Sequence, residues 1–516
     1  MKHQQAYENA ETLIFSREDG TNVIGYAIIF ASGIKKVRLH VKKGNCLYAP
    51  IEFTMDELKN KIFSIQKYDA QFSPVEISQI IQAIDEKFSL LQPIKAIENL
   101  GWEKDSDLNI TGYAGSVVLD ANGNEILKDP YANLPDMSGA YDPVNIQDYI
   151  SGHTKRQIIF LWSLASVVCG LLDKTIWLNL CALSSKGKTT SANLAQSSFC
   201  SAKYSTLCKT WASTELALVK SMDGLDGIPV LIDDTQLSKI KSYQKVIYEL
   251  TNGKSVLRLV KVNHLSKQYS WATSVISTSE NSLLDTCDKE NEGVLPRLLE
   301  MEVYQGELFD NAQQANDVQQ FVATHYGNIA PRFVKYILQN SHVEKMEDLY
   351  TNEVKSIRQS VTDQDTVLQR CIESIAIITL TGKIAEKALA MKFDIPGIQS
   401  LLLDLYRQNI SEYREEKSSN IILTQMYPKM VAFAKEYCSN HLKDNYIVIG
   451  SKPLKSLLAS LIKDTKLRPI MVKRTLRQNG LVYMPRGVFN DTFTIHGEKF
   501  RGFALIIKSE GGDSNE

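Results

Sequence analysis

Hydrophobic positions along the chain switch between two periods, and the switches divide it into regions. In the first hundred residues the runs GYAIIFAS and VRLHV are rich in β-branched residues and read as strands. MDELKNKIFSIQ and VEISQIIQAIDEKFSLL instead place apolar residues at helical spacing. From Gly101 to Asp136 the pattern is β-rich again, and Ala121-Asn122-Gly123-Asn124 predicts a hairpin turn. Asn133 to Pro143, rich in Pro, Gly and Asp, reads as a linker. Residues 145 to about 305 alternate: an apolar helix over 156–172, the strand TIWLNLCAL, a helix from Thr189, the strand IPVLIDD, a helix near 238–251, the strand ATSVIST and finally LLEMEV. That alternation predicts a parallel sheet with helices on both faces. Residues 316–415 read as helical throughout, and the tail from 421 starts helical and ends with a β pattern.

The expected organisation is a multidomain α/β chain. It has an N-terminal α+β domain over 1–100, a β-rich segment and linker over 101–144, an α/β core over 145–310, and a helical domain over 311–415. A C-terminal domain over 416–510 and a polar tail over 511–516 follow. Within the C-terminal domain, Leu454, Leu457, Leu458, Leu461 and Ile462 form the stripe of an amphipathic helix. A second helix from Pro469 carries Lys473, Arg474 and Arg477 beside Val472 and Leu476. Leu481–Met484 and Phe503–Ile507 then read as strands flanking a turn region. Helix, turn, basic helix, hairpin is the order of a winged helix-turn-helix, a DNA-binding module.

Composition changes this picture in two places. The 516 residues allow about three domains, and 44% hydrophobic with 23% charged residues excludes a disordered chain. Lys plus Arg is 58 against 59 acids, so the whole chain offers no electrostatic argument for a nucleic-acid partner. From Ser451 to Glu510, however, 12 Lys and Arg stand against 4 acids, a basic module hidden within a neutral total. Eight cysteines with no CxxC pair read as reduced thiols, with neither zinc site nor disulfide framework. The N-terminus lacks a signal-peptide pattern, and the apolar run Ile158–Leu172 is shorter than the roughly 20 residues that span a bilayer. A cytoplasmic protein with no membrane partner is expected.

The most specific chemistry lies at Ala182-Leu183-Ser184-Ser185-Lys186-Gly187-Lys188-Thr189-Thr190, between a predicted strand and a predicted helix. A phosphate-binding loop needs backbone N–H groups turned around a phosphate, a lysine for its outer oxygens and a hydroxyl for magnesium at the helix start. Ser184, Ser185, Lys186 and Gly187 would form the loop, and Lys188, Thr189 and Thr190 would follow, with Thr189 toward magnesium. Ala182 stands where the pattern has its first glycine, which is tolerable if φ there is negative. The strand ending in Asp233-Asp234 has the form of a Walker B segment: Asp233 supports the metal and Asp234 activates the attacking water. Thr278, ending the strand ATSVIST, is a candidate sensor of the γ-phosphate, since ligands occupy the carboxyl edge of open α/β sheets. Arg297, just before LLEMEV, is a candidate arginine finger toward a neighbouring subunit.

With these elements in this order the core resembles an AAA+ ATPase. The phrases Trp211-Ala212-Ser213-Thr214, Ser277-Thr278-Ser279-Glu280 and His325-Tyr326-Gly327, with the helix around Gln369-Arg370, narrow the likeness. They resemble the MCM-like self-loading helicases of staphylococcal cassette chromosomes and the related pathogenicity-island replication initiators, over roughly residues 100–395. The resemblance implies an AAA+ P-loop core with a helical lid, a hexameric ring around DNA, ATP and Mg2+ as cofactors, and a fused C-terminal winged helix. It also implies that Arg332, in Ala330-Pro331-Arg332-Phe333, is a second sensor arginine. Ser255–Trp271 reads as a β-hairpin that would bring Arg258, Lys261 and Lys267 to DNA phosphates in the channel. Lys473, Arg474 and Arg477 would contact DNA from the tail. The expected function is an ATP-dependent DNA helicase replicating a mobile element. The alternatives are a DNA-bound assembly regulator or origin-binding initiator without unwinding, and a small-molecule kinase, which the helical and basic C-terminal regions disfavour.

Overall fold

The computed structural model describes residues 12–507 apart from 31–32, 45, 49, 68–70, 89–92, 98, 127–142, 183–185, 204–205, 234–239, 241–242, 257–258, 262–263, 266–267, 288–290, 415–421, 464–466, 468 and 486–487. The expected linker over 133–143 lies almost wholly outside the described residues. The chain divides into two compact units, Met1–Leu283 with Gly293–Tyr406, and Leu284–Glu292 with Arg407–Glu516.

In the first unit, strands Thr12–Ser16, Thr21–Ile29, Lys35–Lys43 and Cys46–Leu47 form an antiparallel path. Ile51–Phe53 pairs with the third strand, and Pro93–Lys95 runs parallel to the second. Helix Pro74–Lys87 covers one face; Ser73 caps it and Glu76 completes the capping box. Its Ile77, Ile80 and Ile84 are buried with Val23, Val37, Leu39, Val41 and Phe53. The helix expected over MDELKNKIFSIQ is broken into a 3-10 turn (Met55–Glu57), one α-turn (Leu58–Lys61) and a 3-10 stretch (Ile62–Lys67). Leu58, Ile62 and Ile65 all enter the core through these tighter turns.

The β-rich segment is built as expected, with the turn after Asp120 closed by Gly123 and Asn124. It is not separate from the core. Leu100–Lys104, Ile110–Ala114 and Val118–Asp120 are joined by Leu225–Asp226, a strand from within the α/β region that runs parallel to Leu100–Lys104. Trp102 locks the junction, donating to the Val167 carbonyl at 2.8 Å. Gly170 and Gly227 are needed there, because a Cβ on either would meet the indole within 2.7 Å.

The central sheet has five parallel strands, here β1 (Ile176–Cys181), β2 (Cys208–Thr210), β3 (Val230–Asp233), β4 (Ser274–Ser279) and β5 (Leu298–Glu302), in the order β2-β3-β4-β1-β5. β1, β4 and β5 are buried along nearly their whole length, as strands covered on both faces are. Helix α1 (Thr154–Leu171) is buried over most of its length, packed against β4 and helix Thr366–Leu389. This explains an apolar run that periodicity alone left without a face. No helix among the described residues is long and apolar enough to cross a membrane. Five helices follow: Ala312–Val322, Ile329–Gln339, His342–Ser360, Thr366–Leu389 and Ile395–Arg414.

In the second unit, strands Leu442–Lys443, Tyr446–Gly450, Val482–Tyr483, Asp491–Ile495 and Glu498–Ile506 form an antiparallel sheet. Helices Tyr427–Tyr437, Ser451–Ile462 and Pro469–Gln478 pack on it through Met430, Leu454, Leu458, Val472 and Leu476, which meet Ile447, Ile449, Phe503 and Leu505. The other face of the sheet carries Tyr446, Phe493, Ile495 and Ala504. All eight cysteines are free thiols.

Candidate functional site

Three strands of the central sheet deliver the site. β4 lies between β1 and β3, so the carboxyl ends of β1, β3 and β4 are adjacent. Helix α2 (Lys188–Gln196) starts just after β1. Gly187 precedes it in the left-handed region at φ +84°, and a Cβ there would meet the Phe309 ring at 2.5 Å. Glycine is therefore required on two counts, conformation and space. Ala182 is not among the positive-φ residues, so its methyl group carries no backbone penalty, and its N–H donates to the Ser279 carbonyl at 3.1 Å.

Lys188 is buried, and its Nζ donates to the carbonyls of Ala182 and Ser279, the latter at 2.8 Å. The ammonium is thus held inside the loop mouth by two neutral acceptors. Asp233 Oδ1 accepts from the Thr278 hydroxyl and, at 3.3 Å, from Thr189 Oγ1. One carboxylate oxygen therefore joins the ends of β3, β4 and α2. A hydroxyl and a carboxylate are the hard oxygen donors magnesium takes when the remaining ligands are water and phosphate, so Thr189 and Asp233 fit that ion. Thr190 is buried and accepts from Gln319 Nε2 at 3.0 Å, and Lys186 reaches Gln305 at 2.6 Å. Ser184, Ser185 and Asp234 lie outside the described residues.

Several supporting residues were not singled out from the sequence. Asn179, in the middle of β1, donates to Ser279 Oγ at 2.8 Å and to Glu300 Oε2 at 3.0 Å, and accepts from Ser277 Oγ at 2.9 Å; all four residues are buried. This network fixes Ser279, whose carbonyl holds Lys188. Its signal was visible as the Asn in IWLNLC and the first Glu of LLEME, polar residues at buried positions of core strands. Trp211 N–H donates to the Asp233 carbonyl at 3.2 Å. The Trp211 ring is stacked on Trp177, with centroids 5.9 Å apart. Behind Phe309 the buried Arg156 guanidinium lies 5.2 Å from the ring centroid, and burial lowers its pKa to about 10.

Arg297 and Arg332 are not at this edge. Arg297 lies just before β5, at the amino ends of the strands, its Nη1 donating to the Gly293 carbonyl at 2.7 Å and its guanidinium 4.4 Å from the Tyr248 centroid. Arg332 is exposed on helix Ile329–Gln339. The Ala330 N–H at the start of that helix donates to the Ser198 carbonyl beyond the far end of α2.

Of the expected DNA-contacting segment, strands Leu259–Lys261 and His264–Leu265 pair antiparallel, as a hairpin requires. Arg258 and Lys267 lie outside the described residues, as does the Lys261 side chain. In the second unit Arg477 is exposed. Lys473 is half-buried, its pKa lowered by burial, and Arg474 donates to the Asp285 carbonyl. The helix Pro469–Gln478 therefore keeps one of its three cations fully at the surface and commits another to the protein itself.

A family model described as a domain of unknown function, DUF927, matches residues 19–270. A solved structure described as "SCCmec type IV Cch - active helicase" is similar to this chain with a TM-score of 0.60 and 20% identity, over 94% of each chain. The two share a fold along nearly their whole length. No curated protein matches the sequence.

Proposed function

We propose that this protein is an ATP-driven DNA helicase, a hexameric AAA+ motor that serves the replication of a mobile genetic element. The observation that carries the reading is the convergence of Lys188, Thr189, Asp233 and Thr278 at the carboxyl ends of three adjacent parallel strands. The fold shared with a structure described as an active helicase supports it.

In this reading the loop N–H groups around Gly187 and the start of α2 cradle the phosphates. Lys188 exchanges its two carbonyl partners for phosphate oxygens, a charge-assisted contact stronger than the one it gives up. Thr189 and Asp233 would hold magnesium, which would supply positive charge to the phosphates. Thr278 then releases Asp233 and faces the γ-phosphate, while Asp234 orients the attacking water. Arg297 reaches the nucleotide of a neighbouring copy, consistent with its place at the opposite edge of its own sheet, and Arg332 acts across from a neighbour as well. Helices 311–415 form the lid, the 255–271 hairpin tracks the DNA backbone, and the basic C-terminal unit, a winged helix in this reading, grips DNA. The test is ATP hydrolysis with and without DNA, run alongside ATP-dependent strand separation. Hydrolysis with separation supports the motor; DNA binding and hydrolysis without separation favour an assembly regulator.

A further inference from the structure

Two cysteine thiols meet beside the phosphate-loop helix. Cys200 lies just past the end of α2, and Cys208 opens β2. Cys200 is buried and Cys208 is partly exposed. The Cys200 thiol donates a hydrogen bond to the Cys208 sulfur, so the two side chains are in contact. Gln196 Nε2, from the last residue of α2, donates in turn to the Cys200 sulfur at 3.5 Å. Solvent reaches one sulfur of the pair, and the other waits behind it.

The remaining cysteines are placed differently. Of those six, only Cys46 is exposed. Burial pushes the thiols of Cys169, Cys371 and Cys438 up, which leaves a core cysteine inert. At Cys208 the hydrogen bond from Cys200 outweighs burial and brings the thiol below its ordinary value; the Lys209 ammonium adds to that pull and the Asp233 carboxylate opposes it. An accessible, acidified thiol touching a second cysteine is the arrangement that oxidant-sensing proteins use.

We propose that Cys208 and Cys200 form a peroxide-responsive pair that closes into a reversible disulfide, tying the turn after α2 to β2. The Cys208 thiolate attacks one oxygen of hydrogen peroxide. An S–O bond forms, the O–O bond breaks, and the departing hydroxide combines with the proton the thiol gave up, leaving a sulfenic acid. Cys200 then loses its proton and its sulfur attacks that of Cys208, expelling hydroxide, which takes the Cys200 proton as water. Two thiols and one peroxide become one disulfide and two waters, with two electrons passing from sulfur to peroxide. The Gln196 N–H steadies the negative charge that Cys200 takes on as it reacts. Sulfurs already in hydrogen-bond contact need only a small approach to reach the bonding distance of about 2 Å. A small thiol reverses the bond by exchange. The tie would join the phosphate-loop helix to the strand whose Thr210 lies opposite Asp233. It stands or falls independently of the ATPase reading.

Trypsin makes the test direct, because cleavage after Lys188, Lys203 and Lys209 puts the two cysteines in separate peptides, 189–203 and 204–209. The full chain is treated with increasing hydrogen peroxide, alkylated with iodoacetamide in denaturant, digested, and mapped by mass spectrometry with and without dithiothreitol. The expected result is a linked peptide pair that appears at doses leaving Cys46 alkylated and that dithiothreitol separates. Cys200→Ala should stop Cys208 at the sulfenic acid, which dimedone traps, and Cys208→Ala should leave Cys200 a thiol at the same doses. Where a variant does not fold, the wild-type map decides alone. No linked pair at a dose that oxidises Cys46 completely overturns the proposal, whatever the state of Cys208. A Cys208 disulfide to any other cysteine, or between two copies of the chain, overturns it as well.

Discussion

The two ends of the central sheet differ in how their charges are satisfied. At the carboxyl edge, Lys188 donates to two carbonyls and Asp233 accepts from two hydroxyls. At the amino edge, Arg297, Arg370 and Lys254 gather with little to oppose them. The first edge is a socket closed on itself through weak, exchangeable contacts. The second gathers three cations beside Asp173. In the proposed ring, every copy would offer the socket to one neighbour and Arg297 to the other.

Breaking the comparison at either edge should give the largest effects. Lys188→Ala and Arg297→Ala should each lower ATP hydrolysis by about 10³-fold, but Lys188→Ala should also lose nucleotide binding while Arg297→Ala retains it. Steady-state hydrolysis and equilibrium binding of a labelled nucleotide separate the two.

Gly187→Ala sharpens the carboxyl side. The left-handed φ costs a side chain about 1–2 kcal/mol, and the Phe309 ring blocks the methyl group besides. Nucleotide affinity should fall by at least about tenfold, measured by the same binding assay, while the fold of the second unit stays unchanged by circular dichroism.

The junction beside the amino edge predicts a pH effect. Burial pushes the Asp226 carboxyl up to about 6, against the pull of Lys104 at 2.5 Å. The native state therefore holds this proton more tightly than the unfolded chain. The resulting stabilisation is full below pH 4, declines as pH rises toward 6, and is gone above it. Asp226→Asn should flatten that dependence by about 1–2 kcal/mol, read from thermal unfolding across pH 4–7. The smallest effect belongs to the basic helix: Arg477→Ala should weaken DNA binding a few-fold regardless of sequence and reduce the salt slope by about one.

Much of the α/β frame was legible because the core strands are short apolar runs bounded by turns, and the phosphate loop sits between one of them and a helix. The strand order was not, since periodicity says nothing about which strands become neighbours. Nor was the pairing of Leu225–Asp226 with Leu100–Lys104, a contact between segments more than a hundred residues apart. Lys188, Thr189 and Asp233 could be named because their residue types and spacing encode the chemistry. Asn179, Glu300 and Gln319 escaped because their roles are to hold those residues, and only the folded sheet brings them together. In the basic helix the sequence counted charges, but folding turned Arg474 toward the protein and half-buried Lys473.

The most direct test of the motor reading is strand displacement on a forked DNA duplex with ATP and magnesium, comparing wild type with Lys188→Ala at equal concentration. The account predicts that wild type separates the strands and that Lys188→Ala does not. Equal separation by both proteins, or none by a wild type that assembles on DNA and hydrolyses ATP, would contradict it.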